Sequence, residues 1–354
     1  MNELKKQIRS VLRVVLYNCW YRWFRSWDKT RNGAPLKDGI TAVVSAKNEA
    51  YIIPFCLESL VGVVDQVVCI DNGSDDGTLD VMNAFKKKFA DRIEVDILEM
   101  PNALLGDCRN AGLEHTRYKW HLRWDADMVC RTSGKEDMKL LREKVLKDDQ
   151  PRTIQLPRTN LRGDFHHTRK NLPAIDPGEP ILVRFGKDIE YVEYGKFDVI
   201  RVPFYYAIEK ESKRYYFHCE GLKSDDNLIY RRQYFEWREA FNKHSDANRP
   251  KEVSDFEVFK KDWCKREFNT LDQASLKWRF QRDFCNRLER IDKKMFGDYP
   301  DVLKPELDGK QTRFEIVFKD GKPYSRVDRV DNEMSEYQPT GADLEWGNSL
   351  PNNG

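Results

Sequence analysis

Trp120-His121-Leu122-Arg123-Trp124-Asp125-Ala126-Asp127 is a bulky, β-prone run that ends in two acids flanking an alanine. Aromatic and apolar residues at this density suit a strand buried in a core. The small residue between the acids lets both carboxylates aim at one point without crowding. Oxygen ligands of this kind select hard cations such as Mg²⁺ or Mn²⁺, which keep waters and bind substrate phosphates. Alone, an Asp-x-Asp is as readily a solvated turn, so its meaning rests on its surroundings.

Upstream, short apolar runs at residues 40–44, 66–70 and 93–98 read as strands. Helical stretches at about 50–61, 78–90 and 107–115 separate them, with Thr78 after Gly77 a candidate cap. This alternation predicts an α/β fold with a mostly parallel sheet and helices on both faces. Ligands bind such sheets beyond the carboxyl ends of the strands, near the topological switch point. Three polar sets fall at those ends: Ser45-Ala46-Lys47-Asn48-Glu49, then residues 71–78 beginning Asp71-Asn72-Gly73, then Asp125-Ala126-Asp127. One set would mean little; three at one sheet edge make a site.

Downstream, a helix is expected at about 135–147 and strands at 153–161, 181–185, 189–192 and 215–218. Residues 162–180 are polar and rich in Gly and Pro, which predicts a loop. His166-His167 lies within it without a partner at ligand spacing and reads as part of a flexible, acceptor-facing loop. Residues 226–295 are helical and dense in aromatic and charged residues, and 314–327 resemble a hairpin around Lys319-Asp320-Gly321. The polar tail, 331–354, reads as disordered. The divisions expected are a preface at 1–37, a catalytic domain at 38–235 (donor side 38–130, acceptor side 131–235), and a helical extension with hairpin at 236–330.

In the preface, Leu16, Cys19, Trp20, Trp23, Phe24 and Trp27 recur at helical spacing, with Arg22, Arg25 and Lys29 opposite. Such a helix suits a membrane interface, and Arg9 and Arg13 add to its positive charge; packing on the catalytic domain or on a partner subunit is the other reading. The net charge of the 354-residue chain is only +2, which supplies no global field for nucleic acid. The eight cysteines include no C-x-x-C pair, consistent with buried free thiols in a reducing compartment. No secretory leader is visible, and no run of about 18 uncharged apolar residues predicts a membrane span. A cytoplasmic protein, peripheral at most on the inner face of a membrane, is the expectation.

Four segments together resemble the GT-A glycosyltransferases, specifically the inverting family 2. They are residues 43–49, residues 68–78, Arg109-Asn110-Ala111-Gly112, and Trp124-Asp125-Ala126-Asp127, in family order and at family-like spacing. The resemblance covers roughly 38–235. It implies a nucleoside-diphosphate sugar donor, with a UDP-sugar favoured, and a glycan or lipid-linked acceptor. Ser45, Lys47, Asn48, Glu49, Asp71 and Asn72 would line the nucleoside pocket, with Asp71 on the base or ribose. Arg109 would meet the diphosphate, where a guanidinium fork suits oxyanions. Asp125 would face ribose and metal, and Asp127 the metal, Mn²⁺ or Mg²⁺. His218 is either a third metal ligand or phosphate contact, assisted by Lys223, or a structural histidine.

Inverting transfer also needs a base for the acceptor hydroxyl, and the resemblance places it after a short strand beyond the D-x-D. The stretch there is Tyr191-Val192-Glu193-Tyr194-Gly195-Lys196-Phe197-Asp198. Asp198 aligns best and Glu193 second; the usual His-Glu pair is absent. Two rival readings stand beside this one. A sugar nucleotidyltransferase would carry an early Gly-rich phosphate loop, and neither G-x-x-x-x-G-K-[ST] nor G-x-G-x-x-G occurs. A non-catalytic binding protein of the same fold would have little use for three intact acids at the strand ends.

Overall fold

A computed structural model describes residues 8, 11–12, 15–16, 29–147, 149–171, 173–194, 197–244, 250–308, 312–330 and 337–350. Most of the amphipathic stretch expected at 16–29 lies outside these residues. The first half of the sheet comprises β1 (Lys37–Ala46), β2 (Gln66–Asp71), β3 (Glu94–Glu99) and β4 (Tyr118–Asp125). Helices α1 (Ile53–Leu60), α2 (Thr78–Lys88) and α3 (Leu105–Glu114) connect them. Ile40 to Val44 and all of β2 are buried on both faces, which is why these strands read as unbroken apolar runs. β1 is parallel to β2 on one side and to β4 on the other. The chain therefore winds outward from β1 to β2 and β3, then returns to β1's other flank with β4. That reversal is the switch point, and it opens a crevice between the ends of β1 and β4.

The remaining elements before the long helices are β5 (Met128–Cys130), α4 (Met138–Leu146), β6 (Arg152–Arg162), β7 (His167–Arg169), β8 (Ile175–Arg184), β9 (Glu190–Tyr194), β10 (Phe197–Arg201), β11 (Ala207–Lys210) and β12 (Tyr216–Glu220). One nine-stranded sheet runs β3-β2-β1-β4-β8-β6-β12-β5, with β11 on β6. β8 is antiparallel to both its neighbours. One face packs on α1, α2 and α4 through Leu57, Met82, Phe85, Leu141 and Val145. The other meets α3, where Val43, Val68 and Ile70 cluster with Cys108. Helices thus cover both faces, as the strand–helix alternation predicts.

The C-terminal part contains α5 (Asp225–Lys243), α6 (Lys251–Ser254), α7 (Phe256–Phe268), α8 (Gln273–Asn286), β13 (Leu288–Arg290), α9 (Lys293–Phe296), α10 (Lys304–Asp308), the hairpin β14 (Phe314–Lys319) and β15 (Lys322–Asp328), and α11 (Gly341–Asn348). α5, α7 and α8 share a second core of Ile229, Phe259, Trp263, Phe268, Phe280 and Phe284. Since α5 runs unbroken through residue 235, the division expected there falls inside one helix.

Three other expectations are corrected. Residues 162–180 are not one loop: β7 pairs with β13, and β8 begins at Ile175. Pro177-Gly178 hides this strand, yet it sits at a register irregularity where Gly178 takes φ +73° against Leu156. His167 is correspondingly buried on β7, its Nδ1 2.8 Å from both Asp164 oxygens, rather than on a flexible loop. Residues 337–350 of the tail are ordered. Thr340 and Asp343 form a capping box at the start of α11, and Asp343 is buried against Arg279 at 2.7 Å. The seven described cysteines are all free and buried; Cys19 lies outside the described residues.

Candidate active site

Register brings the three polar sets together. Ser45 pairs with Asp125 across β1 and β4, and Ala46 pairs with Asp71 across β1 and β2. After β1 the backbone turns at Asn48, which holds φ +55°, a left-handed conformation that asparagine tolerates well. The Asn48 side chain accepts from the Asp75 amide at 2.9 Å and donates to Asn227 of α5 at 2.8 Å. Asp71 caps the following turn: one oxygen accepts from the amides of Gly73 (3.0 Å) and Ser74 (3.1 Å). Its other oxygen, Oδ1, is buried without a hydrogen-bond partner. A buried carboxylate oxygen left in that state calls for a donor from outside.

Several of the residues expected on the donor side make contacts within the protein. Asn72 donates to the Ala103 carbonyl at 2.8 Å and lies on the Cys108 thiol. Glu49 is buried and ion-paired with Lys223, so both tie the β1 loop to the start of α5. Burial pushes the Glu49 carboxyl up, and Lys223 acts against it. Lys47 stretches toward the ring of Tyr230 on α5, 5.6 Å from its centroid.

Asp125, Asp127 and His218 converge: one ligand atom from each lies within 4.8 Å of the other two. β12 delivers His218, held by antiparallel pairing with Met128 on β5, so the histidine faces the acids directly. His218 Nε2 lies 3.3 Å from Asp127. Burial pushes the imidazole pKa down and the Asp127 charge more than restores it, leaving a net rise. For Asp127, burial raises the carboxyl and His218 and Arg231 outweigh it, so it sits below the ordinary range. Asp125 is held lower still: burial is overcome by Arg109 and Arg123. Two carboxylates and an imidazole fit a divalent cation, Mn²⁺ more naturally than the oxygen-loving Mg²⁺.

Arg109 is not turned to open solvent. It donates to Asp125 at 2.8 Å and lies 2.7 Å from an Asp198 oxygen, and it is buried. Its role is therefore to bridge the D-x-D to the candidate base, with Nη1 still unpartnered. Asp198, on β10, is only 4% exposed at its side chain and is directed at Arg109. Glu193, opposite it on β9, accepts from the Gly106 amide at 3.2 Å and meets Arg238 of α5 at 3.3 Å. It thus supplies the end of α3 with the acceptor that Leu104 lacks.

The residue that sequence reasoning misses is Arg231. Its guanidinium stands 3.9 Å from Asp127, with Nη1 buried and unpartnered. A spare cationic donor beside acids that could hold a metal suits a phosphate. The signal was a polar stripe: Asn227, Arg231, Tyr234 and Arg238 recur at helical spacing, and three of them touch site residues.

Residues 41–141 match the family model described as Glycosyl transferase family 2. The chain holds a family 2 glycosyltransferase domain. No curated protein matches this glycosyltransferase. Among solved structures it is similar to S. aureus TarS 1-349, at 14% identity over 81% of this chain and 98% of that one, with TM-score 0.36. The same protein in complex with UDP-GlcNAc is similar at 14% identity and TM-score 0.38, with the same coverage. Glucosyl-3-phosphoglycerate synthase from Mycobacterium tuberculosis, in complex with Mn²⁺, UDP and phosphoglyceric acid, is 18% identical over 34% of this glycosyltransferase and 43% of that chain, with TM-score 0.26. The family match carries the GT-A fold and glycosyl transfer as the activity.

Proposed function

We propose that this glycosyltransferase moves a sugar, with inversion, from a nucleoside-diphosphate donor to a hydroxyl of a glycan or lipid-linked acceptor. The observation that carries the reading is the convergence of Asp125, Asp127 and His218 at the end of β4, level with Ser45 and next to Asp71. Asp71 Oδ1 offers the acceptor a nucleobase N–H or ribose hydroxyl requires. Asp125, Asp127 and His218 would hold Mn²⁺ or Mg²⁺, which would neutralise charge on the departing diphosphate. Arg231 adds a protein cation on the same side.

On the acceptor side, Asp198 takes the hydroxyl proton as the acceptor oxygen bonds to the anomeric carbon. The bond from that carbon to the diphosphate oxygen breaks, and its electrons leave with the nucleotide. Arg109 spans Asp125 and Asp198, so donor and base are positioned by one side chain.

The test is nucleotide-sugar turnover with Mn²⁺, wild type against Asp127→Ala. A loss of at least about a hundred-fold is expected from removing a charge-stabilising group; equal activity sinks the metal assignment. Product NMR should show an inverted anomeric centre, and retention would contradict single displacement. UDP is the favoured nucleotide, and thermal shift across nucleoside diphosphates should single it out.

No helix among the described residues is long and apolar enough to cross a membrane. Docking on a membrane face would rest on the basic, aromatic residues 1–29. Deleting them should lower the membrane-bound fraction in sedimentation, and an unchanged fraction would remove the idea.

A further inference from the structure

β8 is antiparallel to both β4 and β6, so β6 runs parallel to β4, and β12 is parallel to β6. The carboxyl ends of β4, β6 and β12 therefore lie along one edge of the sheet, the edge at which such folds take ligands. β4 ends there in Asp125, β6 in Arg162 and β12 in Glu220. Arg162 and Glu220 are partners in register, and their side chains form an ion pair at 2.6 Å. Glu220 follows His218 by two residues, so it leaves the same face of the strand about 7 Å further along.

Apolar packing fixes the cationic half of that pair. The turn after β6 passes through Gly163 at φ +80°, where a Cβ would stand 2.7 Å from the Phe284 ring. The ring fills that room, and the Arg162 guanidinium lies 4.7 Å from its centroid. Leu288 belongs to the same apolar cluster as Phe284, and β7 pairs Arg169 directly with Leu288. Arg169 is thereby brought beside Arg162, and it is only partly covered. Its Nε is buried without a hydrogen-bond partner, and among the described residues no carboxylate pairs with it. Burial, then the charge of Arg162, lowers its pKa; Glu220 opposes the fall, and Arg287 and Arg232 add to it. Those last two share the Asp283 carboxylate, at 2.7 and 3.1 Å. Two guanidinium groups thus face the single carboxylate of Glu220, and one positive charge is left over.

A half-covered arginine among like charges is relieved by an oxyanion, whose geometry the guanidinium fork matches. Solvent reaches the place, since Glu220 keeps 36% of its side-chain surface and Arg287 44%. The donor diphosphate already has Arg231 and the convergence of Asp125, Asp127 and His218. We propose that Arg162 and Arg169 form an acceptor subsite for a phosphate group, so that the hydroxyl to be glycosylated belongs to a phosphate-bearing molecule. This rests on the glycosyl-transfer reading and adds a substrate class to it. Glu220 holds Arg162 in place, and Asp198 keeps its separate task.

Calorimetry on the full chain saturated with UDP and Mn²⁺ tests it. Glucose 6-phosphate and glycerol 3-phosphate are the probes, glucose and glycerol their neutral parents, and glucuronate the carboxylate control. At least one phosphate should bind alongside UDP, about ten-fold or more tighter than its parent. Arg169→Gln should weaken that binding about ten-fold or more, the worth of a charge-assisted hydrogen bond, and Arg169→Lys should weaken it less. UDP affinity should stay unchanged, and Arg169→Gln should melt no lower than wild type because it removes a cation from among cations. Equal binding of phosphates and parents, displacement of the phosphates by UDP, or glucuronate binding as tightly as glucose 6-phosphate would each overturn the proposal. So would a clear fall in the melting temperature of Arg169→Gln, which would make the arginine structural. Arg169-dependent phosphate binding in a chain that turns over no nucleotide sugar would sink the transfer reading and leave the phosphate subsite standing.

Discussion

His121 sits in the middle of β4 with its ring nitrogens against the hydroxyls of Tyr191 (3.0 Å) and Thr116 (3.4 Å). Burial, then the charges of Arg109, Arg123 and Arg31, push its pKa down to about 3 from 6.5. The folded state thus binds fewer protons than the unfolded chain between those values. Its contribution is whole above about pH 6.5 and is lost as pH falls toward 3. Denaturant unfolding should show stability dropping by about 2 kcal/mol between pH 7 and pH 5 from this group alone. His121→Asn should flatten that limb, and an unchanged slope would refute the assignment. At this scale the sequence was most legible where a residue ends a buried strand. Asp71 and Asp125 announce themselves because each closes a strand at the sheet edge, and Asp127 because it completes the Asp-x-Asp with Asp125. Arg231 does not, because its partner Asp127 lies over a hundred residues away and α5 carries many arginines. The pairing of Arg109 with Asp198 was hidden for the same reason: no local pattern encodes a bridge between α3 and β10.

Among the elements, α3 packs tightly on the sheet because Gly112 gives it room. A Cβ added there would stand 2.3 Å from Val43 Cγ1. Gly112→Ala should therefore cost about 1–3 kcal/mol by overpacking, read from denaturant midpoints, and Val43→Ala in the same chain should recover part of it. If the single variant is neutral, α3 is free to move off the sheet and the Arg109 bridge is looser than described. β1 and β2 could be read directly, since each is a nearly unbroken apolar run buried on both faces, while β3 and β4 were legible from their β-prone apolar residues despite alternating with polar ones. β8 could not, because Asp176-Pro177-Gly178 interrupts it with the residues that mark turns. α11 could not either: its order comes from Asp343 meeting Arg279, Ser275 and Tyr337, contacts that no local window contains.

For the whole molecule, the C-terminal segment acts as a tie rather than a tail. Asp343 is fully buried, Arg279 also holds the Phe268 carbonyl at 2.8 Å, and Trp346 packs on Phe268. Asp343→Ala leaves the guanidinium buried without its carboxylate and should cost about 3–5 kcal/mol. Hydrogen exchange should rise across 337–350 first; uniform protection there would show that the ion pair is dispensable. A longer-range link runs through Arg326 of β15, which donates to the carbonyls of Gly221 and Lys223, both at 2.7 Å, and to Asp225 at 2.6 Å. The C-terminal hairpin thereby steadies the entry to α5, which no motif between 41 and 141 could reveal.

α5 touches the loop after β1 at Asn227, Asp127 at Arg231 and the β9–β10 ribbon at Arg238. Between the first and last of these it advances about 16 Å. It is a ruler laid along the reaction path, and its graduation is the helical repeat. One residue inserted after Ile229 would turn everything beyond it by about 100°, carrying Arg231 and Arg238 off their marks while Asn227 stayed in place. Homologous chains should therefore vary freely in α5's outward residues yet show no gap between 227 and 238.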